Sequence, residues 1–220
     1  MSSQPYSNKQ IVIHKLKITE SKKLTTMKRN ILKSIFLLGI TLTLLSFNLQ
    51  VPEGWAKGGS QAKSYEMVTE KDAGPEGGNA ATIKSINKKI KGFGTLMQSS
   101  APSKYLGKRV CMSGQMKSKN VADWAGLWFR IDQENPRKSL SFDNMKDGKT
   151  DRSIKGTTEW KKYEIVLDIP ENANNMSYGA LLNGTGQIWF TNIEFEIVDN
   201  SVPTTGREKK TEPTNLDFKN

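Results

Sequence analysis

Between about residues 64 and 199, apolar and polar side chains alternate with a period of two in segment after segment, and no stretch sustains a helical period. Val110, Met112, Gly114 and Met116 alternate with Cys111, Ser113, Gln115 and Lys117. Leu127, Phe129 and Ile131 alternate with Trp128, Arg130 and Asp132. Tyr163, Ile165, Leu167 and Ile169 then alternate with Glu164, Val166 and Asp168, stopping at Pro170. Met176, Tyr178, Ala180 and Leu182 form a further set, and an apolar run from Ile188 to Val198 follows the turn at 184–186. Shorter candidates are Ser64–Val68, Ala81–Ile86, Thr95–Ser99 and Ser139–Asn144; the one helical turn expected is Pro102–Leu106, capped by Ser100 and ended by Gly107. Eight or nine short strands with turn signals between them predict an all-β fold, a two-sheet antiparallel sandwich.

The flanks read differently. From Met27, a basic stretch with Lys28, Arg29 and Lys33 precedes an uncharged apolar run, Ser34–Phe47, and a polar exit through Pro52, Gly54 and Ala56. This is the pattern of a secretory signal peptide over 27–56, with cleavage after Ala56 because Gly54 and Ala56 supply the small side chains. The run is shorter than the roughly 20 residues that span a bilayer, so no stable membrane span is expected after cleavage. The chain is therefore expected to be exported, to a periplasmic or extracellular place. Residues 1–26 read as an extension upstream of the true start at Met27, 57–63 as a flexible lead, 64–199 as the β-sandwich domain and 200–220, with its prolines, threonines and mixed charges, as a disordered tail.

Export changes the charge arithmetic. The formal net charge is +11, but residues 1–56 carry +6 of it and residues 57–220 only +5. Mild basicity over the remainder gives little support for nucleic-acid binding. His14 is the only histidine and precedes the signal, so the mature chain lacks the usual general base and any Ser-His-Asp or Cys-His arrangement. The single cysteine, Cys111, excludes an internal disulfide and reads as a small buried side chain. One histidine and one cysteine likewise exclude structural zinc and iron–sulfur sites.

Several segments are distinctive together: Gly92-Phe93-Gly94-Thr95-Leu96-Met97-Gln98, Trp124-Ala125-Gly126-Leu127-Trp128-Phe129-Arg130-Ile131-Asp132, Phe142-Asp143-Asn144-Met145, Gly156-Thr157-Thr158-Glu159-Trp160 and Leu181-Leu182-Asn183-Gly184-Thr185-Gly186-Gln187-Ile188-Trp189-Phe190. In this order they resemble a bacterial domain with the galactose-binding-like jelly-roll fold, akin in shape to carbohydrate-binding modules. Copies of it occur in proteins labelled transcriptional regulators, some AraC-type. The resemblance covers roughly 64–199 and implies a jelly roll with a ligand on one sheet face or in the loops at its edge. No segment reads as a helix-turn-helix, so a regulator label would be inherited from longer relatives.

A sugar needs an aromatic plate for its apolar ring face and planar polar side chains for its hydroxyls. Trp128, Arg130 and Asp132 share one face of a strand, and Gln98, Asp143, Asn144 and Asn183 lie in neighbouring segments that could reach it. The candidate ligand-binding residues are thus Gln98, Trp128, Arg130, Asp143, Asn144 and Asn183. Trp128 with Arg130 reads equally well as a cation–π packing pair, while Trp160 and Trp189 read as structural. Asp143 could instead cap a turn or hold a structural calcium; EF-hand spacing is absent and no cofactor is expected. Asp132, Asp143, Glu164 and Glu194 are the carboxylates on non-core faces, but nothing marks two of them as a glycosidase pair, so no enzyme is expected. The expected function is non-catalytic binding of carbohydrate or envelope polysaccharide. The alternative is a protein-interaction or structural sandwich.

Overall fold

In the computed structural model, the described residues are 22–28, 51–135, 137–207 and 216. The chain divides into two units, Met1–Phe47 and Asn48–Asn220. Of the first, only a short helix at 22–28 is described, and the apolar run expected to direct export lies outside the described residues. Among the described residues no helix is long and apolar enough to cross a membrane.

The second unit is built from nine strands: β1 Ala56–Gly58, β2 Tyr65–Glu70, β3 Ala80–Ser85, β4 Phe93–Ser100, β5 Lys108–Gln133, β6 Lys138–Asp143, β7 Ile154–Ile169, β8 Asn175–Asn183 and β9 Gln187–Val198. Every pairing is antiparallel. The two runs expected to be separate strands, Val110–Lys117 and Leu127–Asp132, are one strand, β5. Its bend is at Asn120, which takes a left-handed φ of 53° where the register with β7 shifts. Residues 109–119 of β5 pair with β9, and residues 124–132 pair with β8. The strand thereby belongs to both layers, β1-β4-β8-β5-β6 on one side and β2-β3-β9-β5-β7 on the other.

The period-two sets all point their apolar members into the shared core. Val110, Met112, Met116, Leu127, Phe129, Ile131, Ile165, Leu167, Met176, Ala180 and Leu182 are buried together. Burying such aliphatic side chains contributes roughly 1.5–3 kcal/mol each before conformational entropy is counted. Tyr65 from β2 enters this core over Gly94, where a Cβ would come within 2.4 Å of the tyrosine ring, and its hydroxyl donates to the Gly184 carbonyl at 2.8 Å. The turn at 102–106 is a single 3-10 turn, Ser103–Tyr105, started by Pro102 without a side-chain cap from Ser100.

The domain is wider than the alternation alone suggests. Val51 and Trp55 pack against the core, Trp55 lying tilted against Phe190 with ring centroids 5.5 Å apart and meeting Tyr178 edge-on at 6.2 Å. β1 then pairs Ala56, Lys57 and Gly58 with Met97, Leu96 and Thr95. Residues assigned from the sequence to a signal exit and a flexible lead are therefore part of the sheet. At the other end, residues 199–207 run along β7: Thr205 exchanges hydrogen bonds with the Val166 backbone, and Arg109 holds the Asn200 and Val202 carbonyls at 2.6 and 2.8 Å. Order thus continues to Arg207, beyond the expected start of the tail at 200; residues 208–215 and 217–220 lie outside the described residues.

Candidate functional site

The outward face of β4, β8 and β5 is laid out in rows by the strand register. Phe93, Asn183 and Trp124 stand abreast; then Thr95, Leu181 and Gly126; then Met97, Gly179 and Trp128; then Ser99, Ser177 and Arg130; Asn175 and Asp132 complete it. One end is apolar, a cluster of Trp124, Trp128 and Leu181 with Phe93 and Met97 against it. The other end is polar. Arg130 Nε donates to Asp132 Oδ2 at 2.8 Å, the Ser99 and Ser177 hydroxyls are 2.8 Å apart, and Asn175 Nδ2 donates to Ser177 Oγ at 2.9 Å. These groups border an open groove of about 530 Å³, to which Glu134, Arg137 and Asn174 also contribute. Glu134 and Arg137 are exposed, and neither is ion-paired among the described residues.

The six residues singled out from the sequence are divided among different places. Arg130 lines the groove, as Asp132 beside it does. Trp128 lies on the same face, but its ring is only 7% exposed and its indole N–H donates to Thr95 Oγ1 at 2.8 Å, so it is a wall rather than an open plate. No cation–π contact joins it to Arg130 among the described residues; Trp124 instead carries Lys146 Nζ 5.0 Å above its ring. Asn183 is on this face at the far, apolar end and donates to Asp123. Gln98 has the parity of Leu96 and lies on the opposite side of the sheet, accepting from Tyr178 Oη at 2.5 Å and donating to the Gly54 carbonyl at 3.2 Å. Asp143 stands opposite the core residue Phe129, is 0% exposed, and is held by Arg152 and the Met145 N–H. Asn144 closes the next turn, its Oδ1 accepting from the Lys146 and Asp147 N–H groups. Asp143 and Asn144 thus shape a turn and do not reach the groove.

The remaining carboxylates do not converge with Asp132. Glu164 and Glu194 flank Ser113 on the outer face of the other layer, with Lys162 Nζ 3.1 Å from Glu164. Cys111 shares that face half-buried rather than sitting in the core, and its partial burial, with Glu164 and Glu196 nearby, pushes the thiol pKa up. Trp160 and Trp189 flank Lys117 Nζ at 5.2 and 4.8 Å, and Trp189 donates its indole N–H to Glu70 at 2.6 Å. Both tryptophans are packing elements, on an outer face. Among the groove residues that sequence reasoning passed over are Ser99, Glu134, Arg137, Asn174, Asn175 and Ser177. The parity of Ser177 and Asn175 within the Met176–Leu182 alternation was the one signal that could have placed two of them.

Two antiparallel layers close over one core and share a bent strand, with β1 at the edge beside β4 and β9 between β5 and β3. The fold is an antiparallel jelly-roll sandwich. No family model matches the chain. Over 171 residues the jelly-roll chain is 40% identical to the uncharacterized HTH-type transcriptional regulator YbfP of Bacillus subtilis (strain 168), a match covering 76% of this chain and 56% of that protein. The chain thus spans a little over half the length of that relative. Among solved structures, the enzymatically active domain of tailspike protein 4 of bacteriophage CBA120 superposes with a TM-score of 0.50 at 9% identity, covering 68% of this chain and 20% of that one. The CBM22-1 xylan-binding domain of Paenibacillus barcinonensis Xyn10C gives a TM-score of 0.48 at 12% identity, covering 68% of this chain and 88% of that domain.

Proposed function

We propose that this jelly roll is an exported, non-catalytic binding module for carbohydrate, with its ligand along the groove at the polar end of the β4-β8-β5 face. One observation carries the reading: Arg130, Asp132, Glu134, Arg137 and Asn175 surround a single open groove, with hydroxyls from Ser99 and Ser177 on its floor. Guanidinium, carboxylate and amide groups each offer two polar atoms in a plane, which suits neighbouring hydroxyls on a sugar ring. The two basic and two acidic side chains balance, which favours a neutral glycan over a strongly charged one. Without an open aromatic plate the binding is weak, micromolar to millimolar, or about −8 to −4 kcal/mol.

Export rests on the basic, apolar and small-residue order of 27–56. Because Trp55 and Ala56 belong to the folded unit, we place any processing point N-terminal to Val51 rather than after Ala56. The DNA-binding designation of the Bacillus relative is read as belonging to the part this chain does not span.

Native gels cast with soluble plant, algal and bacterial polysaccharides test the function. Retardation by at least one of them, lost in Arg137→Ala and in Arg130→Ala, is the expected result. A folded protein that none of them retards overturns the carbohydrate reading and moves the face to protein partners.

A further inference from the structure

Two side chains break local rules, and both border the same cavity. Gln98 is polar on the core side of β4, in line with Leu96. Asn192 takes a left-handed φ of 54° in β9, where the register with β5 shifts between Ser113 and Gln115. Asn enters that region more readily than other non-glycine residues, and non-glycine residues held there gather at functional places. Here they meet at a cleft of about 470 Å³ between the two layers, on the far side of the sheet from the groove.

The walls of this cleft are aromatic. Trp55, Tyr178, Phe190 and Phe195 line it, Tyr178 meeting Trp55 and Phe195 at steep angles of 88° and 69°. Each of these edge-on contacts occupies one ring face, and Tyr178 and Phe190 are buried, so the aromatic surface open to an occupant is that of the half-buried Trp55 and Phe195. The half-buried Trp55 is brought there by a turn in which its N–H donates to the Pro52 carbonyl at 3.1 Å. Gly54 within that turn has a φ of +78°, and a Cβ there would come within 2.8 Å of Gln98 Nε2. Gln98 spends one N–H on the Gly54 carbonyl and its oxygen on Tyr178, which leaves a second N–H. The exposed Asn192 amide faces the same opening, its oxygen only loosely engaged by Thr191 Oγ1 at 3.4 Å.

We propose that this aromatic cleft is a second binding site that takes a single sugar ring at the end of a glycan chain. Its volume is in the lower part of the range of about 300–1,000 Å³ for small-ligand sites. The half-buried Trp55 and Phe195 rings suit the C–H face of a pyranose, and the Gln98 and Asn192 amides suit its hydroxyls. The ligand class rests on the carbohydrate reading above, but none of the residues is shared with the groove.

The test is nuclear magnetic resonance on the folded protein, following the Trp55 indole N–H during titration with methyl glycosides of xylose, glucose, galactose and N-acetylglucosamine. Asn192→Gly removes the amide while keeping the backbone at ease, and Arg137→Ala serves as the groove control. The expected result is a saturable shift of the Trp55 signal, weakened about fivefold in Asn192→Gly, as loss of one hydrogen bond implies, and unchanged in Arg137→Ala. Absence of any Trp55 shift overturns the cleft site, even if polysaccharides still bind through the groove. A shift that Arg137→Ala abolishes and Asn192→Gly leaves intact overturns it as well. If Trp55 responds but no polysaccharide depends on Arg137, the cleft stands and the groove falls.

Discussion

Trp128 on β5 and Thr95 on β4 are joined across the intervening strand β8: the indole N–H donates to Thr95 Oγ1 at 2.8 Å, and Thr95 passes the chain on by donating to the Ala180 carbonyl at 2.7 Å. A ring locked in this way acts through stability. Trp128→Ala is expected to cost about 3–5 kcal/mol, the usual penalty for truncating a buried aromatic. Trp128→Phe should cost less, around 1–3 kcal/mol, by leaving the Thr95 hydroxyl without its donor. Urea unfolding of the two variants checks both figures.

Asp143 is the most buried carboxylate of the described core, and Arg152 beside it also donates to the Glu164 carbonyl at 2.6 Å. Asp143→Ala is expected to destabilise by about 3 kcal/mol, because it strands a partly buried guanidinium and frees the Met145 turn. Arg152→Ala should cost a similar amount, and the double variant less than the sum of the two. Denaturation midpoints of the three proteins decide this.

Removal of residues 51–56 takes away Trp55 and the first residue of β1. The loss of that half-buried indole alone should cost about 1.5–3 kcal/mol, visible as a lower Tm against a chain beginning at Val51. Under the export proposed above, the processed N-terminus, read by intact mass, is expected upstream of Val51; a terminus at Lys57 would overturn the processing point.

Tyr65 is only 4% exposed, and burial, with the Asp123 charge adding to it, pushes its phenol from 10.0 up to about 12. The fold favours the protonated phenol, so its contribution is complete below pH 10 and is lost as the pH rises from 10 towards 12. Ultraviolet titration should show a late tyrosine ionisation that is lost in Tyr65→Phe, beside the raised one of Tyr163. Stability measured above pH 10 should fall less steeply in Tyr65→Phe than in the parent.

The core was legible because alternation in β5, β7 and β8 is clean: one face is apolar, the other mostly polar, and a period of two leaves a single assignment. It failed on β4, where Phe93 and Met97 on one side and Leu96 on the other are all apolar, so both faces look like core and Gln98 could not be assigned a side. Asp143 and Asn144 were misplaced for a different reason. They end β6 at a turn, and only the pairing of Asp143 with Phe129, distant in the chain, turns the carboxylate inwards. Trp55 was hidden by its surroundings: a Gly- and Lys-containing stretch directly after an apolar run reads as the exit of an export signal, although three of its residues pair with β4. The groove draws on residues from the end of β5 and the start of β8, which only the sheet register brings side by side.

The 26 residues of β5 pair with β6 and β7, which follow it in the chain, and with the last two strands, β8 in one layer and β9 in the other. One layer is incomplete until β8 has been synthesised and the other until β9 has, and pairings this distant in sequence form slowly. With such a spine, both layers are closed only by strands near the C-terminal end of the domain. A chain cut short before β9 therefore keeps the outer edges of β3 and of the first half of β5 without the strand that joins them.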